Sequence, residues 1–380
     1  MTHPAAAWAS TRRLLCIRLD SMGDVLMTTP AIRALKESGR DRHITLLTSP
    51  SGAAAAALVP HVDDVVLYDA PWLKATRARI SAAADRGIIE ALREGRFDGA
   101  VIFTVFSQSA LPSAMLCHLA DIPLRLAHAR ENPYQLLSTW VPDPEPAQGI
   151  RHEVERQLAL VAEVGSRPSD TRLVLRVPAA ARAGVRALLA GVGVEPLDPW
   201  LVLHPGASAA SRRYPPDRFA RAVRAICTSR PHRVLVTGDA NESALIADVC
   251  ARAGQCAVDL AGRLDLAGLA ALIEAAPLLI TNNTGPAHIA AAVGTPVVDL
   301  YALTNPQHTP WQVASRVLSH DVPCRNCFKS VCPYGHNACL RGVEPDELTR
   351  AALELLALSP RSQNLLENAD VYAGNQCGIP

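Results

Sequence analysis

Residues 278–296 read LLITNNTGPAHIAAAVGTP, with an apolar run, a short polar turn and a Gly-Pro helix start in direct succession. Leu278, Leu279 and Ile280 have the character of a buried strand, and Thr281, Asn282, Asn283 and Thr284 are types that favour turns and helix N-caps. The spacing predicts a helix beginning near Thr284 to Pro286. Gly285 permits close backbone approach, and Pro286 fits a first helical turn. His288 follows Thr284 by four residues, which sets its ring on the side that the cap faces. Free N–H groups and the dipole of a helix start attract anions. The stretch therefore reads as a seat for a nucleotide's phosphates; a plain strand-to-helix turn with His288 at the edge of the core is the competing reading.

The same order of strand, glycine turn and helix recurs upstream. RLLCIRL at 13–19 is a strand, DSMGD at 20–24 a glycine loop, and Val25 to Lys36 a helical pattern. Strands are expected at 43–49, 64–68 and 98–104, with helices near 50–58, 77–94 and 107–120. That alternation predicts a parallel, doubly wound α/β sheet, which binds ligands at the carboxyl ends of its strands. A helix around 151–165 follows the Pro-rich VPDPEPAQG, and a short strand is expected over Leu173 to Val177. An Ala- and Arg-rich helix then leads to the breakers Gly191, Gly193, Pro196 and Pro199, so a domain boundary belongs near 166–195. The plan restarts with strand 200–204 and loop Pro205-Gly206-Ala207-Ser208. It continues with helix 216–229, strand 232–237, helices 242–253 and 265–276, the central motif, strand 296–301 and helix 345–357. The expected organisation is a domain at 1–175, a second at 176–360 and a mobile polar tail at 361–380.

At 380 residues, 49% hydrophobic and mean hydropathy +0.12, the chain can fill two cores. A net charge of +1 without a long basic block argues against nucleic acid as a partner and favours a small molecule or glycan. No apolar run reaches the ~18 residues of a membrane span, and no secretory leader pattern opens the chain, so the expected location is the cytoplasm. There is no Walker lysine pattern, and DSMGD is not a G-x-G-x-x-G fingerprint, so hydride transfer from a dinucleotide has no support. Of ten cysteines, Cys16, Cys117, Cys227, Cys250 and Cys256 are scattered through expected strands and helices and read as small apolar residues, while Cys377 stands alone in the tail. Cys324, Cys327, Cys332 and Cys339, spaced C-x2-C-x4-C-x6-C around His336, offer soft ligands for a structural zinc or iron. Free or redox-labile thiols, or disulfides, are the competing readings.

RLDSMGDVLMTTPAIRALK, LHPGASAASRRYPPDRFA and TNNTGPAHIAAAVGTP, in this order, resemble glycosyltransferase family 9, the ADP-heptose:lipopolysaccharide heptosyltransferases and their relatives, from about Arg13 to Leu358. The resemblance implies a GT-B architecture of two facing Rossmann-like, doubly wound domains. The first takes the acceptor and the second the nucleotide sugar, and transfer inverts the anomeric carbon without a catalytic metal. Asp24, beside Gly23, matches the family's general base for a sugar hydroxyl, with Asp20 the nearby competitor and a helix N-cap the plain alternative. Arg212 matches a basic residue that holds the departing diphosphate, with Arg213 adjacent and Ser208 able to donate to phosphate. Glu242 falls where relatives place an acid on the ribose diol, or else is a charge in a helix's first turn. Asn283 stands where the common form has Asp, ahead of Thr284, Gly285 and His288; its amide can donate as well as accept. Cysteine-rich insertions occur in the family, some of them binding iron. The implied donor is ADP-heptose, and the implied acceptor a saccharide or lipid-linked saccharide of lipopolysaccharide assembly at the inner face of the inner membrane. A nucleotide-sugar epimerase and a non-catalytic binding relative are the alternatives; Asp24 in its loop favours the transferase.

Overall fold

The structure is a computed structural model that describes residues 4–74, 76, 81–195, 198–230 and 232–358. The expected tail and Cys377 lie outside these residues. The chain forms two compact units, Met1–Arg176 and Val177–Pro380.

In the first unit the order is α1 (Pro4–Ala9), β1 (Arg13–Arg18), α2 (Met22–Glu37), β2 (His43–Thr48), α3 (Pro50–Ala56), β3 (Asp64–Leu67), α4 (Ala83–Glu94), β4 (Gly99–Ile102), α5 (Leu111–Leu119), β5 (Leu124–Ala129), β6 (Thr139–Pro142) and α6 (Glu153–Ala162). All six strands run parallel, in the order β3-β2-β1-β4-β5-β6. The order reverses between β1 and β4, so a crevice opens beyond their carboxyl ends. Leu14 to Ile17 are all buried, as a central strand covered on both faces requires. Helix α2 begins three residues earlier than expected, at Met22 after Ser21, so Gly23 and Asp24 belong to its first turn and not to a loop. The reason is local: the Asp24 carboxylate reaches back to the Ser21 N–H at 3.0 Å and occupies a donor that a helix start leaves open. Strands β5 and β6 had no counterpart in the sequence reading. In β5, Arg125 and His128 interrupt the apolar run, yet both are buried, the Arg125 guanidinium donating to the carbonyls of Gln135 and Leu136 at 2.8 and 2.7 Å.

The second unit comprises α7 (Ala179–Gly191), β7 (Trp200–His204), α8 (Pro216–Ser229), β8 (Arg233–Val236), α9 (Ser243–Ala253), β9 (Ala257–Asp259), α10 (Leu266–Ala275), β10 (Leu279–Asn282), α11 (Gly285–Val293), β11 (Val297–Leu300), β12 (Ser315–Leu318), α12 (Ala338–Arg341) and α13 (Pro345–Leu358). Its parallel sheet runs β12-β11-β10-β7-β8-β9, the same winding as the first, with the reversal between β7 and β10. The short outer strands β9 and β12 were also missing from the sequence reading. The strand expected over Leu173 to Val177 does not form: Val174 N–H goes to Thr29 Oγ1 at 3.1 Å and Arg176 N–H to Leu58 O at 2.8 Å, so these donors are satisfied without a ladder. A core of Leu201, Leu203, Phe219, Val234, Ile280 and Val298, among others, holds β7, β8, β10 and β11 together.

Candidate active site

In the first unit the polar residues gather where β1 ends. Arg18, last residue of β1, is fully buried and meets three carboxylates: Glu153 Oε1 at 2.8 Å from Nη1, Asp24 Oδ1 at 3.0 Å from Nη2, and Asp20 Oδ2 at 3.1 Å from Nε. Asp24 Oδ2 accepts from the Ser21 hydroxyl at 2.7 Å as well as from its N–H. Asp20 Oδ1 accepts from Gln108 Nε2 at 2.7 Å. A cavity of ≈ 290 Å³ opens on Asp20 and Gln108, with Trp72, Leu73, Phe103 and Ser109 among its walls. Burial pushes the Asp20 carboxyl up to about 6, with the Asp24 and Glu153 charges adding to the rise and Arg18 and Gln108 opposing it. One face of this site thus offers carboxylate oxygens, an amide and an aromatic wall, the groups that grip hydroxyls and pack on C–H surfaces. Arg18, Gln108 and Glu153 escaped the sequence reading, because only the fold brings residues 18, 108 and 153 together.

In the second unit the strand and helix of the expected motif form, with Thr281 and Asn282, expected in the turn, as the last residues of β10. Thr284 is the N-cap of α11, but its hydroxyl donates to Asn282 O at 3.4 Å and makes no cap bond; Pro286 has no N–H, and Ala287 N–H bonds Thr284 O at 3.0 Å. His288 lies buried in this helix. Asn283 is buried too; its Oδ1 accepts from Ala302 N–H at 3.3 Å and its Nδ2 has no hydrogen-bond partner among the described residues. Arg212 is half-buried, with Nη2 on Asn305 Oδ1 at 3.3 Å. Asn305 Nδ2 meets His308 Nδ1 at 2.8 Å, and Tyr301 OH donates to Asn305 O at 2.7 Å. The loop after β11 therefore holds both Asn283 and Arg212. The sequence reading gave that loop no role; NPQHTPW at 305–311, with Asn305 and His308, is the signal that could have marked it.

Asn282 is the other residue whose role was missed. It is fully buried, donates to Pro205 O at 2.7 Å and accepts from Tyr214 N–H at 3.0 Å, so one amide fastens the loop after β7 and the segment after Arg213 to the end of β10. Glu242 lies against that same loop. A Cβ on Gly206 would stand 2.0 Å from its Oε1, and one on Gly238 2.7 Å from its Oε2. The Glu242 carboxyl is raised by burial and by Asp239, while a bond from Asp239 N–H and the Arg213 charge pull the other way. Arg213 itself is exposed and donates to Ala207 O at 2.7 Å, and Ser208 is exposed. The buried Asp299 carboxyl is raised well above its ordinary range by burial, Arg212 opposing.

Cys324, Cys327, Cys332, Cys339 and His336 line one small cavity that reaches Ser211, and Cys324 Sγ lies 3.9 Å from His336 Nε2. The donor set suits zinc or iron. Among the described residues, however, no three His, Cys, Asp or Glu side chains are gathered closely enough to hold a metal ion. The cysteine loop is instead hydrogen-bonded to the Arg212 neighbourhood: Ser211 N–H and Oγ donate to Ser330 O and Lys329 O at 3.0 and 2.8 Å, and Phe328 N–H donates to Thr304 O at 2.8 Å.

Residues 86–338 match the sequence model of glycosyltransferase family 9 (heptosyltransferase). The chain belongs to glycosyltransferase family 9. Among family 9 relatives, it is 27% identical over 293 residues to lipopolysaccharide heptosyltransferase 3 of Escherichia coli K12, covering 76% of this chain and 82% of that one. A family 9 glycosyltransferase structure from Veillonella parvula superposes with TM-score 0.74 at 20% identity, over 92% of this chain and 98% of that one. The Escherichia coli ADP-heptose heptosyltransferase II structure gives 0.70 at 21%, over 94% and 99%. At these identities the structures speak to fold alone, and they share the two-domain α/β fold of the family. The enzyme is a glycosyltransferase, and family 9 membership favours transfer over epimerisation. No helix among the described residues is long and apolar enough to cross a membrane.

Proposed function

We propose that this enzyme moves a heptose from ADP-heptose to a saccharide or lipid-linked saccharide acceptor in lipopolysaccharide or related glycan assembly. In this reading it works in the cytoplasm at the inner face of the inner membrane. The observation that carries the donor side is the buried Asn283 Nδ2, which finds no acceptor among the described residues, beside the start of α11, whose N-cap Thr284 makes no side-chain cap bond. A buried donor left unmade costs about 1–3 kcal/mol, so such a group is kept where a ligand oxygen supplies the missing acceptor.

In the proposed reaction the acceptor hydroxyl loses its proton to Asp24 as its oxygen bonds the anomeric carbon from the face opposite the diphosphate. The anomeric C–O bond breaks with its electron pair passing to ADP. Arg212, steered by Asn305, meets the charge that grows on the leaving phosphate, with Arg213 and Ser208 as neighbours on the same loop. Gly285, Thr284 and His288 frame the phosphates, and Glu242 takes the ribose hydroxyls. Gly23 lets the acceptor approach beside Asp24. No metal takes part in this chemistry; a zinc or iron on Cys324, Cys327, Cys332 and Cys339 would brace the loop that packs on Ser211.

The test pairs two measurements. Thermal unfolding is recorded with ADP-, GDP- and UDP-sugars, where ADP-heptose is expected to give the largest rise. Transfer to core oligosaccharide is then followed by mass spectrometry with and without EDTA. Stabilisation by a UDP-sugar alone, or a strict need for added magnesium, would sink the reading.

A further inference from the structure

We propose that Glu153 is a positioning residue for transfer: from behind Arg18 it sets how the guanidinium's charge is divided between Asp20 and Asp24. The inference rests on the reading above, in which a carboxylate of this segment takes the acceptor's proton. Glu153 has no solvent exposure, so it touches no substrate and acts through Arg18 and through its own charge on the two aspartates.

The geometry sets one cation against three carboxylates. Arg18 and Glu153 are wholly buried, while the side chains of Asp20 and Asp24 keep 16% and 15% exposure. Fully ionised, the group would hold two net negative charges in a poorly solvated place, and burial together with this repulsion pushes the Asp20 and Glu153 carboxyls up. The cation is not shared equally. Glu153 and Asp24 receive aligned N–H bonds from Nη1 and Nη2 at 2.8 and 3.0 Å. Asp20 has only Nε at 3.1 Å, and that N–H is not directed at it, since Nε makes no hydrogen bond. Glu153 thus claims one good contact, Asp24 another, and Asp20 the remainder.

Glu153 is itself held in place. Its Oε1 also accepts from Gln157 Nε2 at 2.6 Å, and Gln157 Nε2 is anchored on Thr104 O at 3.1 Å. Its Oε2 is buried without a partner, which suits a carboxyl raised by burial. The charged groups facing the loop carboxylates are Arg18 from β1, Asp20 and Asp24 as each other's neighbours, and Glu153 from α6; Gln108 and Gln157 are neutral. A carboxylate with an arginine to itself is a weak base. Dividing Arg18 three ways leaves neither Asp20 nor Asp24 with the whole of its charge, so each keeps more of its basicity.

The experiment follows the Asp side-chain carboxyl carbons by ¹³C NMR over a pH titration of the full chain, with Asp20→Asn and Asp24→Asn supplying the assignments. Glu153→Gln keeps the shape and an oxygen for Arg18 but removes a charge, so more of the guanidinium falls to Asp20 and Asp24. The Asp20 and Asp24 midpoints are expected to move to lower pH, and the acid limb of kcat/KM to move with that of Asp24, the proposed base. If Glu153→Gln does not fold, Gln157→Leu replaces it: without the amide N–H, Glu153 is more readily protonated, and the same downward shifts are expected. Midpoints that stay put in the variant overturn the proposal, because a merely structural Glu153 would change stability and not titration. An Asp24 midpoint that moves while the kcat/KM limb does not would uphold the charge division and overturn the placement of the base on Asp24.

Discussion

Asp24 does two jobs, since its carboxylate closes the start of α2 and stands in the proposed path of the acceptor's proton. Asp24→Asn is therefore expected to lower turnover by ~10²–10⁴-fold while ADP binding stays close to wild type. It should also cost about 1 kcal/mol of stability through the weakened contact to Ser21. Steady-state kinetics, ADP titration and denaturant unfolding on one preparation separate these effects, and full turnover in Asp24→Asn alongside an inactive Asp20→Asn would move the base to Asp20. On the donor side, Arg212→Ala should weaken ADP binding about tenfold, the loss of a charge-assisted contact, and slow transfer further if the contact tightens as charge develops. Titration calorimetry gives the first quantity and kcat the second. These residues were readable because each sits inside a short motif with its own local logic. Arg18, Glu153 and Gln108 were not, because their chemistry comes from partners up to 135 residues away.

The order of winding explains which elements could be read and which could not. Central strands such as β1, β7 and β10 are apolar apart from polar residues at their ends because helices cover both faces, and they stood out in the sequence. Peripheral strands β3, β6 and β12 carry mixed burial, and of these only β3 had enough β-branched character to be expected. Helix starts were harder: α2 was placed three residues late because Gly23 looked like loop, while a side-chain bond from Asp24 overrode that preference. The pair Asn282-Asn283 divides into an amide that fastens loops and one proposed to face the donor, which adjacency in sequence could not reveal. Asn282→Ala would strand Tyr214 N–H and Pro205 O in the core, at a cost of about 3 kcal/mol, and would loosen the loops after β7 and before α8 together. Urea unfolding should register the first effect and a fall in ADP affinity the second, whereas Asn283→Ala should lower ADP affinity with a much smaller change in urea midpoint.

At the scale of the whole molecule, each unit carries a histidine pushed down to about 4 by burial, His128 in the first and His204 in the second. The unfolded chain takes up a proton at each near pH 6.5 and the folded chain does not until about 4, so both contributions to stability are lost as pH falls through that window. Asp20, raised to about 6, has the opposite sign over part of the same range, and so does Asp299. Single variants resolve the contest: the fall in Tm between pH 7 and 4.5 should be shallower in His204→Asn than in wild type, by about 2 kcal/mol of acid destabilisation. An unchanged slope would mean that His204 titrates normally in the folded chain. The cysteine loop adds a different prospect. Burial pushes the Cys332 thiol up, but hydrogen bonds from the backbone N–H groups of Asn337, Tyr334, Gly335 and His336 together outweigh it and bring the thiol below its ordinary range, the direction that favours the nucleophilic thiolate. Because the carbonyls of Lys329 and Ser330 accept from Ser211, one residue from Arg212, the proposed diphosphate partner, the loop is expected to report donor occupancy. Its rate of alkylation by iodoacetamide should slow when ADP is bound, giving a readout of the donor site that needs neither acceptor nor turnover.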